Sequence, residues 1–216
     1  MKKISQTEIQ HLMSLHQRGL NDDVINEATF LIKQYPEEII ILNLLGVSYE
    51  KKGLLKEAAI AYKKALKLNP NIPELNFNLG AILFSENNVE EAMKFYNKAI
   101  QLNPNFPEVH FNLGIALQSI GQYDQAIQSY EKALQIQPGF FEAITNIGTI
   151  RQLQGRLDEA ESFFKKSLNI REDGRGHYNL ANVLRNQGNL SLSISHYRKA
   201  IELGSGEAEF YSDLGD

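Results

Sequence analysis

The chain has 216 residues, of which 43% are hydrophobic, with 22 Lys and Arg against 26 Asp and Glu, a formal net charge of -4 and no cysteine. That balance argues against a nucleic-acid surface, which needs clustered cations, and the missing thiols exclude disulfides and thiolate metal sites. No apolar run approaches the ~20 residues of a membrane-spanning helix, and MKKISQTEIQHLMSL lacks the continuous apolar core of a leader, so a cytoplasmic protein with no membrane partner is expected.

Residues 5–38 come first and keep a spacing that the rest of the chain repeats, with Gly19 and Pro36 in phase with Gly53 and Pro70. His11 and Leu12 stand where later units carry Leu-Gly, so a divergent capping repeat is predicted. From Ile39 the period is explicit: Gly46, Gly80, Gly114 and Gly148 recur every 34 residues, followed by Ala181 after 33 and Gly215 after 34. Twelve positions beyond each comes a small residue (Ala58, Ala92, Ala126, Ala160, Ser193), and four further on an aromatic (Tyr62, Tyr96, Tyr130, Phe164, Tyr197). Proline closes units at Pro36, Pro70, Pro104 and Pro138. Apolar residues at three- and four-residue intervals predict two amphipathic helices per unit, separated by a turn residue that tolerates the left-handed conformation: Gly53, Asn87, Gly121, Gly155 or Gly188. The units run 39–72, 73–106, 107–140, 141–173 and 174–207. The join LNIREDGRGHYNL lacks its proline and is one residue short, and Gly174 and Gly176 are expected to absorb the deletion. Residues 208–216, with Phe210, Tyr211 and the in-phase Leu214-Gly215 pair, begin a further repeat that stops before a second helix, and a truncated array is expected, with a short capping stub as the alternative.

These spacings resemble the tetratricopeptide repeat (TPR) family. The resemblance implies an all-α fold, a right-handed superhelical solenoid of antiparallel helix pairs, with a concave groove lined by the first helix of each pair. In the unit from Pro107, His110, Leu113, Gly114 and Leu117 form the packing stripe, which leaves Glu108, Phe111, Asn112, Ile115 and Gln118 for the groove. Counterparts elsewhere are Glu74, Phe77, Asn78, Ala81 and Phe84; Glu142, Thr145, Asn146, Thr149 and Gln152; and Arg175, Tyr178, Asn179, Asn182 and Arg185.

Asn78, Asn112, Asn146 and Asn179 all precede the Leu-Gly position and form a row similar to the one lining the TPR region of O-GlcNAc transferases. An amide both donates and accepts, so such a row suits the main chain of an extended peptide; the same amides can equally bond a neighbouring repeat, and Leu44 interrupts the row. The aromatics Phe77, Phe84, Phe111 and Tyr178 resemble interface anchors and favour binding, with Asn182 and Arg185 on the same stripe. Glu74, Glu108 and Glu142 occupy places where a TPR carboxylate clamp would need cations.

No phosphate loop, nucleophile elbow or zinc-binding His-Glu-x-x-His occurs. His110, His177 and His196 read as core or rim histidines with satisfied nitrogens, and Arg151, standing where other units have Tyr49, Leu83, Leu117 and Leu184, as a side chain that either snorkels or pairs with an acid. The expectation is a non-catalytic scaffold with no cofactor, no metal and no small-molecule substrate, whose ligand is a protein or peptide held in the groove. The alternative is the substrate-recruiting arm of a larger enzyme, such as an O-GlcNAc-type glycosyltransferase, with its catalytic domain beyond Asp216.

Overall fold

A computed structural model describes residues 4–204, and the expectations for Phe210, Tyr211 and Leu214 lie outside that range. Among the described residues there are twelve helices and no strand. The chain divides into two compact units, 1–105 and 106–216.

The first unit holds α1 (Gln6–Gln17), α2 (Asn21–Gln34), α3 (Ile39–Lys51), α4 (Leu55–Leu68), α5 (Pro73–Ser85) and α6 (Val89–Leu102). Ser5 opens α1 with a reciprocal cap: its Oγ accepts from Glu8 N at 3.2 Å while the Glu8 carboxylate accepts from Ser5 N at 2.8 Å. The divergent first pair is joined to the rest by apolar packing, since Leu12, Leu15, Val24, Ala28, Leu31 and Tyr35 share one cluster with Ile41, Leu44 and Leu45. Leu44, the residue that interrupts the asparagine row, is therefore a core residue.

The second unit holds α7 (Pro107–Ser119), α8 (Tyr123–Ile136), α9 (Phe141–Leu153), α10 (Leu157–Ile170), α11 (Gly174–Asn186) and α12 (Leu190–Glu202). In both units consecutive helices pack as antiparallel pairs, and each pair packs on the next within its unit.

The reason for the repeated spacing is visible between the helices of a pair. An aromatic ring of the second helix lies directly against the glycine of the first, where a Cβ added to Gly114 would stand 2.5 Å from Tyr130 Cε1, and one added to Gly80 or Gly148 would stand 2.8 Å from Tyr96 or Phe164 Cε1. Tyr62, Tyr96, Tyr130 and Phe164 are buried in this way, and Tyr197 is buried at the equivalent place. A fully buried side chain of this size contributes about 1.5–3 kcal/mol, so the ring is a substantial apolar joint in the four pairs that carry the glycine. The last pair replaces the glycine with Ala181 and adds a different tie, Ser193 Oγ donating to Ala181 O at 2.9 Å.

The turn within each pair is left-handed at its second residue, with φ of 74° at Gly53, 75° at Gly121 and 84° at Gly188, and Asn87 takes the same conformation at 63° without being glycine.

Candidate functional site

The stripe next to the packing stripe is accessible in every first helix from α5 onward. Phe77, Asn78 and Phe84 on α5 are half-buried, as are Phe111 and Asn112 on α7, Asn146 on α9, and Tyr178, Asn179 and Asn182 on α11, while Arg185 is exposed. The packing stripe beside it is closed, since His110, Leu113, Gly114 and Leu117 are buried.

The aromatics of the stripe form a second layer over the core rings. Phe77 lies 6.2 Å from Tyr96, Phe111 lies 5.6 Å from Tyr130 and 4.8 Å from Phe140, and Tyr178 lies 5.7 Å from Tyr197, centroid to centroid. Each is therefore packed on the core rings while remaining half-buried.

The asparagines have separate local partners. Asn146 Nδ2 donates to the Tyr130 hydroxyl at 3.2 Å, and that hydroxyl donates onward to Gln118 Oε1 at 2.8 Å, so one phenol ties α8 to both α7 and α9. Burial pushes the Tyr130 phenol up to about 12, with the Asn146 bond working against it, so the phenol is a permanent donor. Asn78 bonds the Tyr62 hydroxyl in the same way, beside the 3.0 Å bond from that hydroxyl to the Glu50 carboxylate. Asn112 Nδ2 turns to its own helix and donates to Glu108 O at 3.0 Å. Asn182 Oδ1 accepts from the Tyr197 hydroxyl at 2.5 Å. Asn179, for which the residue equivalent to Tyr130 is Phe164 and has no hydroxyl, makes no hydrogen bond among the described residues.

Asn146 and Asn179 are brought together at a cleft of about 140 Å³ between α9 and α11, with Thr145, Thr149 and Arg175 on its walls. The shortened join builds its floor. Asp173 caps α11 by accepting from Gly176 N at 2.6 Å, and Arg171 lies over the Phe141 ring, 3.7 Å from its centroid, while reaching Glu142 at 3.3 Å and Asp173 at 3.4 Å. Arg175 is exposed and has no ion-pair partner among the described residues. Residues 171 and 173 were not among the groove candidates, and the one available signal was the deletion itself, which brings this polar segment up against α9. Arg151 is paired as expected, with Glu159 at 3.2 Å.

Comparisons with known proteins agree with this geometry. Models described as tetratricopeptide repeat match residues 39–72 and 107–140, residues 61–94 and residues 140–205, and one described as TPR repeat matches residues 81–121. Together they reach from residue 39 to residue 205. The chain belongs to the tetratricopeptide repeat family.

Among solved TPR structures, one of MamA is similar at 30% identity and a TM-score of 0.70, covering 77% of this chain and 91% of that one. PilW, described as a widely conserved type IV pilus biogenesis factor, matches over 100% of both chains with a TM-score of 0.85 at 20% identity. YrrB, described as a TPR protein with an unusual peptide-binding site, matches 87% of this chain and 97% of its own with a TM-score of 0.71 at 20% identity. At these last two identities the likeness establishes the shared TPR solenoid fold and no more. Comparison with curated proteins finds no match. The TPR assignment supports a protein-interaction role at the coarse level.

Among the described residues no helix is long and apolar enough to cross a membrane. No group of three or more His, Asp or Glu side chains is arranged to hold a metal ion among them.

Proposed function

We propose that the protein is a non-catalytic scaffold whose second unit holds an extended peptide segment of a partner along the first helices of its pairs, over Phe111, Asn112, Asn146, Tyr178, Asn179, Asn182 and Arg185. The observation that carries this reading is the cleft between α9 and α11, where the amide of Asn179 and the guanidinium of Arg175 are left without partners among the described residues beside the accessible Asn146. An amide with both functions open matches a peptide bond, whatever the side chains of the ligand. The half-buried rings of Phe111 and Tyr178 supply flat apolar area next to it, a combination common in interface anchors. In the first unit Phe77, Asn78 and Phe84 on α5 form a comparable face of their own. The net charge of -4 disfavours a nucleic-acid ligand. The compartment we propose is the cytoplasm, which cell fractionation tests.

The test uses peptides selected from a random-sequence display library on the wild-type protein, compared on the wild type, on Asn179→Ala and on Asn112→Ala/Asn146→Ala/Asn179→Ala. Each lost hydrogen bond to ligand main chain weakens binding by about 0.5–1.5 kcal/mol, so the triple variant loses about tenfold or more in affinity. Asn179→Ala leaves the melting temperature unchanged, because that amide bonds nothing within the described chain. Unchanged affinity in the triple variant overturns the reading, and so does a library that yields no binder.

A further inference from the structure

We propose that His177 and His196 form a proton-sharing latch between α11 and α12 that opens on acidification, making this helix pair a pH-sensitive element of the second unit. His177 is buried on α11 and His196 half-buried on α12, and their Nδ1 atoms are 2.8 Å apart. The ring centroids are 5.1 Å apart and the planes differ by 27°. The excess of the centroid separation over the nitrogen separation is what two imidazole radii add, so the nitrogens meet on the line joining the ring centres. The rings are edge to edge, in the geometry of one straight N–H···N bond.

The surroundings assign the proton. Glu172 Oε1 stands 3.4 Å from His177 Nε2 and accepts its proton, which leaves His177 Nδ1 as the acceptor and His196 Nδ1 as the donor. A zinc-like ion on the same line would need the nitrogens roughly 4 Å apart, twice a ~2.0–2.1 Å ligand bond, so the gap is sized for a proton.

Acid changes the pair in two stages that belong to both rings together. One extra proton enters at His196 Nε2 and leaves the bridge intact, with a charged donor and a neutral acceptor. A second has only His177 Nδ1 to occupy, where two N–H groups would then face each other across the 2.8 Å gap. The bridge opens, and two like charges remain in contact between the helices.

The neighbouring charges favour this outcome. Lys165 on α10, itself paired with Glu161 at 2.6 Å, faces His196. Glu172 precedes α11, and its carboxylate is shared with Lys199 of α12 at 3.9 Å, while Arg198 and Glu202 line a separate surface cleft together with His177 and His196. Burial first, then His177, then Lys165 hold His196 below its ordinary 6.5. A basic group with a lowered folded pKa binds fewer protons in the native state than in the unfolded chain. Its contribution to stability is therefore complete above pH 6.5 and declines as the pH falls below that value.

The experiment is nitrogen NMR on 15N-histidine-labelled protein, with hydrogen exchange of the α11 and α12 amides on wild type and on His196→Asn. Asparagine places a donor near the Nδ1 position and does not titrate. A 15N–15N coupling across the pair at neutral pH is expected, disappearing on acidification together with protection in α11 and α12. Exchange corrected for intrinsic rate should rise about tenfold from about pH 7 to about pH 5 in the wild type, the change that a 1.4 kcal/mol loss of local stability produces, and less than about threefold in the variant. Two histidines that titrate independently with no coupling overturn the proposal, whether or not the variant folds. Equal acid sensitivity in wild type and variant also overturns it.

Discussion

Tyr62, Tyr96 and Tyr130 occupy one position in three successive repeats, with the same buried ring against the same glycine, yet their hydroxyls meet three different environments. Replacing each in turn by phenylalanine keeps the ring and removes only the oxygen. In Tyr62→Phe the loss is a bond to the Glu50 carboxylate at 3.0 Å and one to Asn78. A bond to a charged group contributes about 1.5–3 kcal/mol, and because Glu50 is exposed and water can replace the phenol, the lower end, about 1.5 kcal/mol, is expected. In Tyr130→Phe the partners are the amides of Gln118 and Asn146, both half-buried, and the cost is about 0.5–1.5 kcal/mol. The Tyr96 hydroxyl is buried without a partner among the described residues, so its removal recovers a desolvation penalty of about 1–3 kcal/mol and Tyr96→Phe is neutral or stabilising by about 1 kcal/mol. The spread between the extreme variants is then about 2.5 kcal/mol, or a few degrees of melting temperature in each direction for a chain of this size. Urea unfolding followed by circular dichroism measures it, with m-values compared because repeat arrays can lose cooperativity. A destabilising Tyr96→Phe, or the same cost in all three variants, would refute the reasoning.

Asn87 holds φ at 63° in a turn where the equivalent residues are glycine. Asn87→Gly relieves a left-handed penalty smaller than the ~1–2 kcal/mol of an ordinary residue, because asparagine tolerates this conformation, against an added chain entropy of about 0.5–1 kcal/mol. A change within about 0.5 kcal/mol in urea unfolding is expected, and a larger loss would show that the asparagine side chain contributes more than the backbone does. Asp173→Ala removes the cap on α11 and should cost about 1 kcal/mol, with Asp173→Ser restoring most of it. Equal stability of the Ala and Ser variants by thermal melting would mean that the oxygen of Asp173 does not hold α11.

Periodicity alone specified the family and the helix-pair fold, because the contacts that define them are local and repeated. Gly114 lies sixteen residues before Tyr130, and that separation places the ring over the glycine whenever two helices are joined by a tight turn. The buried ring series from Tyr62 to Tyr197 and the turn glycines were legible for the same reason. What Asn78, Asn112, Asn146 and Asn179 do was not legible, since of four residues identical in type and phase two bond a phenol, one bonds its own helix and one bonds nothing among the described residues. Part of the difference lies in the ring residue at the equivalent place, a phenol at Tyr130 but a bare ring at Phe164. The floor of the cleft at Arg171 and Asp173 and the edge-to-edge meeting of His177 and His196 were likewise decided only by the tertiary structure. Linear spacing fixes which face of a helix a side chain leaves from. Which polar atom it then meets depends on how the surrounding helices pack, and hydrogen bonds, being short and directional, register tenths of an ångström that no repeat pattern encodes.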